Sequence, residues 1–351
     1  MSDAMAPQVS PIDLAACREL MRGGSRSFFA ASLLLPRAVR EPACALYAFC
    51  RIADDEIDAS GGSPHALEAL RLRLDAVYRL APTPHPADRA LAAVVHRYHI
   101  PRALPEALLE GFAWDAQGRR YETFDDVCDY AARVAGAVGA MMALLMGVRG
   151  AEPLARACDL GVAMQLSNIA RDVREDAAMG RLYLPCAWLR DDGLDPDAWL
   201  ADPQPHPAIE RAVLRLLAQA DALYRRVDGG VARLPLPCRP GINAARRLYA
   251  AIGHEVRRRG PQAWHSRAVV PASRKAWLLA QAVVQLWPRG AGTAPPLPAN
   301  RHLVHAAASA PPPLDDRPAV LDRTAWVIDL FDRLERQERA RYPLRRPVRA
   351  S

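Results

Sequence analysis

Lysine is almost missing from this chain: of 46 lysines and arginines only Lys275 is a lysine, so arginine carries the formal net charge of +7. The guanidinium groups are scattered along the chain and not clustered with aromatics. With no zinc-finger or RNA-recognition signature beside them, nucleic acid is discounted as the anionic partner, which leaves diphosphates and acidic lipid headgroups. A disulfide framework is also missing. Seven cysteines, at 17, 44, 50, 128, 158, 186 and 238, form no C-x-x-C pair and leave an odd count, as expected of reduced, intracellular thiols. The first residues, MSDAMAPQVSPIDL, lack the basic start and apolar run of a signal peptide. The longest uncharged apolar run, Val134 to Val148, is shorter than the ~20 residues that span a bilayer and reads as a buried core helix. A cytoplasmic location is expected, with peripheral contact to the inner membrane.

What is present is helical punctuation around apolar segments. A length of 351 residues and 51% hydrophobic content support one large domain, with no polar run splitting its middle. Ser10-Pro11-Ile12-Asp13 is a helix start, with Ser as cap, Pro in the first turn and an acidic residue behind it. Helices are expected over about 66–80, 87–98, 105–118, 134–146, 208–234, 244–259 and 276–286, with a proline-bearing loop at 191–207. Pro36 and Pro42 should punctuate the entry to a further helix ending at Ala59. The fold class is therefore all-α, a single large helical domain over residues 1–287. The Pro/Ala-rich stretch 288–320 reads as a linker. Residues 321–351 read as a basic amphipathic helix and tail, with Val327, Leu330, Phe331 and Leu334 on one face. Such a helix can lie on an anionic membrane surface or dock on its own domain.

Two stretches concentrate carboxylates where a core should be. In Gln165 to Pro185 (QLSNIARDVREDAAMGRLYLP), Asn168, Asp172 and Asp176 recur every four residues and form one stripe, extended by Gly161 and Gln165. Leu160, Val162, Ala163, Met164, Leu166, Ile169 and Ala170 cover the other positions. Buried carboxylates must be paired or metal-bound, and oxygen ligands on successive turns suit a hard cation such as Mg²⁺. A solvated face with ion pairs from Arg171, Arg174 and Glu175 is the alternative. The second stretch, ALYAFCRIADDEID, puts Tyr47, Arg51, Asp54 and Asp58 on one helix face and contains D-D-x-x-D. Two such helices facing each other would hold metal bridged to an anion, and diphosphate is the natural ligand. Gly23 to Ser27 offers backbone N–H groups and the hydroxyls of Ser25 and Ser27, either for a diphosphate or as an ordinary capped turn.

From about Ser25 to Lys275 the chain resembles the head-to-head prenyl synthases, the squalene and phytoene synthase family. The resemblance rests on Ser25-Arg26-Ser27-Phe28-Phe29, Tyr47 and Arg51 with Asp54-Asp55-Glu56-Ile57-Asp58, Tyr130 to Gly139 (YAARVAGAVG), Asn168 to Asp176, and Arg181-Leu182-Tyr183-Leu184-Pro185, in that order. The wording VGAMMALLMG and GRLYLP is most similar to its bacterial phytoene-forming branch.

The resemblance implies the isoprenoid synthase fold around a central cavity, and a prenyltransferase that joins two geranylgeranyl diphosphates through a cyclopropyl diphosphate to phytoene. This is the first step of carotenoid biosynthesis. Asp54 and Asp58 opposite Asn168, Asp172 and Asp176 would hold Mg²⁺, with Mn²⁺ as a substitute and no NADPH. Arg51, Arg171 and Arg267, with Ser25 and Ser27, would grip diphosphate; Gln165 and Tyr249 would line the substrate site. Tyr183 would lie over the reacting carbons, and Phe28, Tyr47, Phe49 and Tyr130 are further aromatic candidates for cation stabilisation. Val134, Val138 and Met141 would set tunnel depth. A downstream carotenoid desaturase is the implied partner. The competitors are a C15 enzyme of the family making squalene or dehydrosqualene, another class of terpenoid synthase, and a non-catalytic assembly-factor relative.

Overall fold

The computed structural model describes residues 9–284 and 294–314, and among these there is no strand. The N-terminal half runs through α1 (Pro11–Gly24), α2 (Arg26–Ser32), α3 (Arg37–Ala59), α4 (Pro64–Tyr78), α5 (Pro86–Tyr98), α6 (Ala103–Ala116) and α7 (Phe124–Ala131). A π-helical turn, Ala132–Gly136, joins α7 to α8 (Ala137–Leu145). Then come α9 (Ala151–Ala178), α10 (Cys186–Asp191), α11 (Pro196–Ala201), α12 (Pro207–Val231), α13 (Arg239–Arg259), α14 (Ala272–Val284) and α15 (Arg301–Ala308).

Local chemistry sets these boundaries. The Ser10 hydroxyl accepts from the Asp13 N–H at 3.1 Å and starts α1. Thr123 and Asp126 form a reciprocal capping box that starts α7, which accounts for Asp126 without any ligand. Pro42 lies inside α3 and not at its entry, and a proline there leaves the carbonyl four residues earlier without its helical donor. That carbonyl belongs to Ala38, and the Tyr98 hydroxyl on α5 donates to it at 3.1 Å.

Helix α9 is the axis of the fold, packed against α8, α12, α13, α15 and the π turn. Its Val162, Ala163, Leu166 and Ile169 are buried. Glycines let α8 and its π turn come close: a Cβ on Gly139 would stand 2.2 Å from the Ala157 carbonyl oxygen, and one on Gly161 2.2 Å from that of Ala135. Phe124–Leu145 is apolar and long enough to pass for a membrane span, yet 67% of its apolar window is buried against neighbours, as expected for a core helix. All seven cysteines are free.

Two expectations are corrected. The 191–207 loop contains the short helix α11. The described part of the expected linker, 294–314, is packed structure. It carries α15, buries Leu303, Val304 and Ala307, and ties to the body through Leu314 N–H to the Arg97 carbonyl at 3.0 Å. Alanine-rich sequence supplies little polar surface to solvate, so the few aliphatic side chains suffice to dock it. The expected amphipathic helix at 321–351 lies outside the described residues.

Candidate active site

Helices α3 and α9 place the two carboxylate stripes over one recess, because each repeats its polar residues at the helical period while the rest of its surface packs in the core. Asp54 and Asp58 stand on α3, Asn168, Asp172 and Asp176 on α9. Asp115 on α6 lies between them, close enough to feel the charges of Asp54, Asp58 and Asp176. Burial raises the Asp54 carboxyl to about 6, with Asp58 adding to the shift. Burial raises Asp176 to about 8, with Asp172 the next cause. These are carboxylates short of positive charge.

Arginines supply part of it. Arg51 bonds Asp55 at 3.0 Å and reaches Asp54 at 3.4 Å. Arg181, from the turn after α9, reaches back to Asp58 at 2.7 Å. Arg171 and Arg267 both bond Asp172; burial pushes that carboxyl up, but the two guanidinium groups outweigh it and hold it below the ordinary range. Among the described residues no three His, Cys, Asp or Glu side chains already converge as a metal centre.

The residues nevertheless fit a cation carrying a diphosphate. Asn168 Oδ1 is buried and has no hydrogen-bond partner, which leaves an oxygen acceptor beside the carboxylates. The donor set is all oxygen, as a hard divalent ion requires. The surrounding arginines match the remaining phosphate oxygens.

Behind this polar mouth lies an apolar cavity of about 260 Å³. Of the residues expected to contact substrate, Phe28, Tyr47, Val134, Gln165, Asn168 and Tyr249 line it. Phe28 and Tyr47 stack with ring centres 5.6 Å apart. Val138 lines it too, but Met141 points into the core and Met142 takes the wall position. Phe49 is also a core residue. Ser25 acts as the cap of α2, its hydroxyl accepting from Phe28 N–H at 3.2 Å, and Ser27 follows half-buried in the first turn. The corner is pressed on Tyr47, for a Cβ on Gly24 would be 2.3 Å from the Tyr47 hydroxyl.

Tyr130 and Tyr183 form a separate aromatic wall with Tyr121, ring centres 4.8 to 5.9 Å apart. Both hydroxyls donate to Asp115, from Tyr183 at 2.6 Å and from Tyr130 at 2.8 Å. Burial raises Asp115 to about 6 in spite of these bonds. Sequence reasoning did not single out Asp115 or assign a role to Arg181. A lone carboxylate in the otherwise apolar turn Gly111-Phe112-Ala113-Trp114 was the available signal.

An all-α bundle with aspartates facing each other from two helices, at the mouth of an apolar cavity, defines the class of helical isoprenoid synthases. A sequence profile of the squalene/phytoene synthase family matches residues 21–274, and the chain belongs to that family. It is 54% identical over 311 residues to a phytoene synthase of Rhodobacter capsulatus, covering 86% of this chain and 91% of the relative. It is 49% identical over 347 residues to a phytoene synthase of Cereibacter sphaeroides, covering 94% and 96%. Among solved structures, a dehydrosqualene synthase in complex with a ligand superposes with a TM-score of 0.72 at 31% identity, covering 78% of this chain and 96% of that one. The chain is thus a prenyltransferase of an all-α, divalent-metal-dependent family acting on prenyl diphosphates.

Proposed function

We propose that the protein condenses two geranylgeranyl diphosphates head to head, through a cyclopropyl diphosphate, to phytoene, releasing both diphosphates. The observation that carries the reading is the pairing of opposed aspartates on α3 and α9 with an apolar cavity behind them. The names and identities of the two bacterial relatives favour the C20 substrate over the C15 one.

Asp54, Asp58, Asp172 and Asp176, with Asn168 Oδ1, would hold Mg²⁺. When bound, that ion neutralises the charge that develops on the departing diphosphate. Arg51, Arg171, Arg181 and Arg267 now bond the carboxylates, and they stand where phosphate oxygens would arrive. Their guanidinium groups would stabilise the leaving group as its bond breaks. The cavity keeps water from the allylic cation, and the faces of Phe28, Tyr47, Tyr183 and Tyr249 offer it electron density. Asp115 holds the Tyr130 and Tyr183 hydroxyls and so fixes both rings. Loss of a proton ends the sequence, so no NADPH is needed.

A water-insoluble hydrocarbon product favours work at the cytoplasmic surface of a membrane, next to a desaturase that consumes it. The purified protein tests the proposal: with Mg²⁺ and geranylgeranyl diphosphate but no NADPH, it should yield a C40 hydrocarbon by mass. A C30 product made in preference from farnesyl diphosphate would move it to the squalene or dehydrosqualene branch.

A further inference from the structure

A buried cation lines the apolar cavity at the end of α9 away from the polar mouth, near Pro153, Met146 and Leu234. Arg156, on the second turn of α9, lines the cavity and is 1% exposed. Its Nη2 donates to the Ala294 carbonyl at 2.9 Å and to that of Pro295 at 3.4 Å, and lies 3.1 Å from Asp159. Asp159, itself fully buried, also accepts from Arg226 at 2.8 Å and from Asn300 at 2.9 Å. The Arg156 stem is pinned from the other side. A Cβ on Gly230 of α12 would be 2.3 Å from Arg156 Cβ and 2.5 Å from Cγ, so the two helices close on each other there.

We propose that Arg156, fixed by Asp159 and by the segment 294–300, is the end-stop that sets the length of prenyl tail the enzyme accepts. The claim rests on the proposed function for its substrate class. Asn168, at the polar mouth, and Arg156 are twelve residues apart on one helix, which is about 18 Å at 1.5 Å per residue. That is a little over three helical turns, and one isoprene unit is about as long as one turn. The first unit of the tail reacts at the mouth, and the three that follow in a C20 chain fill the distance to Arg156. A leucine at the end of a tunnel turns aside for a longer tail. A buried guanidinium held by a carboxylate and two carbonyls does not, because moving it strands buried charge. Residues 294–300 lie beyond the 21–274 span of the family profile, so the stop is braced by a part of the chain outside that shared core. Arg156 Nε and Nη1 have no hydrogen-bond partner, a cost that its bonds to the two carbonyls and its pairing with Asp159 offset.

The test offers C15, C20 and C25 diphosphates separately, with Mg²⁺, to the purified full-length protein and two variants. Arg156→Ala should raise the C25 to C20 ratio of kcat/KM at least tenfold by opening the floor. Ala157→Leu, which fills the cavity wall beside Arg156, should raise the C15 to C20 ratio at least tenfold. A folded Arg156→Ala protein that turns over C20 with the wild-type C25 to C20 ratio overturns the proposal. If Arg156→Ala does not fold, Ala157→Leu decides, and an unchanged C15 to C20 ratio overturns it. A wild type that prefers C15 overturns the proposed function instead, and is seen before either variant is read.

Discussion

Arg267 grips Asp172 with both arms of its fork, Nε and Nη2 donating to the two carboxylate oxygens at 2.8 and 2.9 Å across 95 positions of sequence. The Arg267 side chain is 54% exposed, so the pair contributes little to stability, within about 1 kcal/mol. In the proposed reaction the Arg267 guanidinium would turn from Asp172 to phosphate. Arg267→Met should lower kcat/KM by roughly 10²-fold while leaving the thermal midpoint nearly unchanged. Steady-state kinetics beside a melting curve check both halves.

Asp115 gives a pH signature. Its folded carboxyl is raised from 3.8 to about 6, by burial against the hydrogen bonds of Tyr183 and Tyr130. The native state therefore holds this proton more tightly than the unfolded chain does. Its stabilising contribution is complete below pH 3.8 and is lost as pH rises through about 6. Melting curves from pH 4 to 7.5 should show wild type losing more stability over that window than Asp115→Asn. Parallel curves for the two proteins would contradict the assignment.

Tyr98→Phe isolates a purely structural bond. Without the hydroxyl, the Ala38 carbonyl that Pro42 leaves open loses its donor, at a cost of about 1–3 kcal/mol. Denaturant unfolding should show that loss, and kcat should not move.

Gly161→Ala tests the close approach of α9 to the π turn. The added methyl meets the Ala135 carbonyl oxygen at 2.2 Å, so backbone must shift, costing about 1–3 kcal/mol or more. Because Ala135 and Gly161 also line the cavity, turnover should fall together with stability. An active, fully stable variant would show that the helices separate without cost.

The sequence made legible whatever repeats at helical period. Asp54 and Asp58, then Asn168, Asp172 and Asp176, fall on single faces of α3 and α9, and Ser10 caps α1 as its pattern predicts. Features made by contact between distant elements were hidden. Asp115 is one of three carboxylates on α6 and gains meaning only when Tyr130 and Tyr183 reach it. Arg156 is one arginine among many, and its burial depends on Asp159 and on carbonyls 138 and 139 positions away. Composition misread 294–314, because proline and alanine signal a linker unless a packed surface such as that around Asn300 and Leu303 awaits them. Met141 failed for a smaller reason: on a helix packed all round, adjacent positions face different neighbours, and Met142 takes the cavity side.

The central claim is that carboxylates from two helices jointly hold a metal-bound diphosphate at the cavity mouth. Binding of an unreactive geranylgeranyl thiodiphosphate, measured by calorimetry with and without Mg²⁺, tests it most directly. Wild type should bind at least 10²-fold more tightly with Mg²⁺, and Asp54→Asn and Asp172→Asn should each lose that gain while keeping a native circular dichroism spectrum. Equal affinity with and without Mg²⁺, or a full Mg²⁺ gain in both variants, would contradict the account.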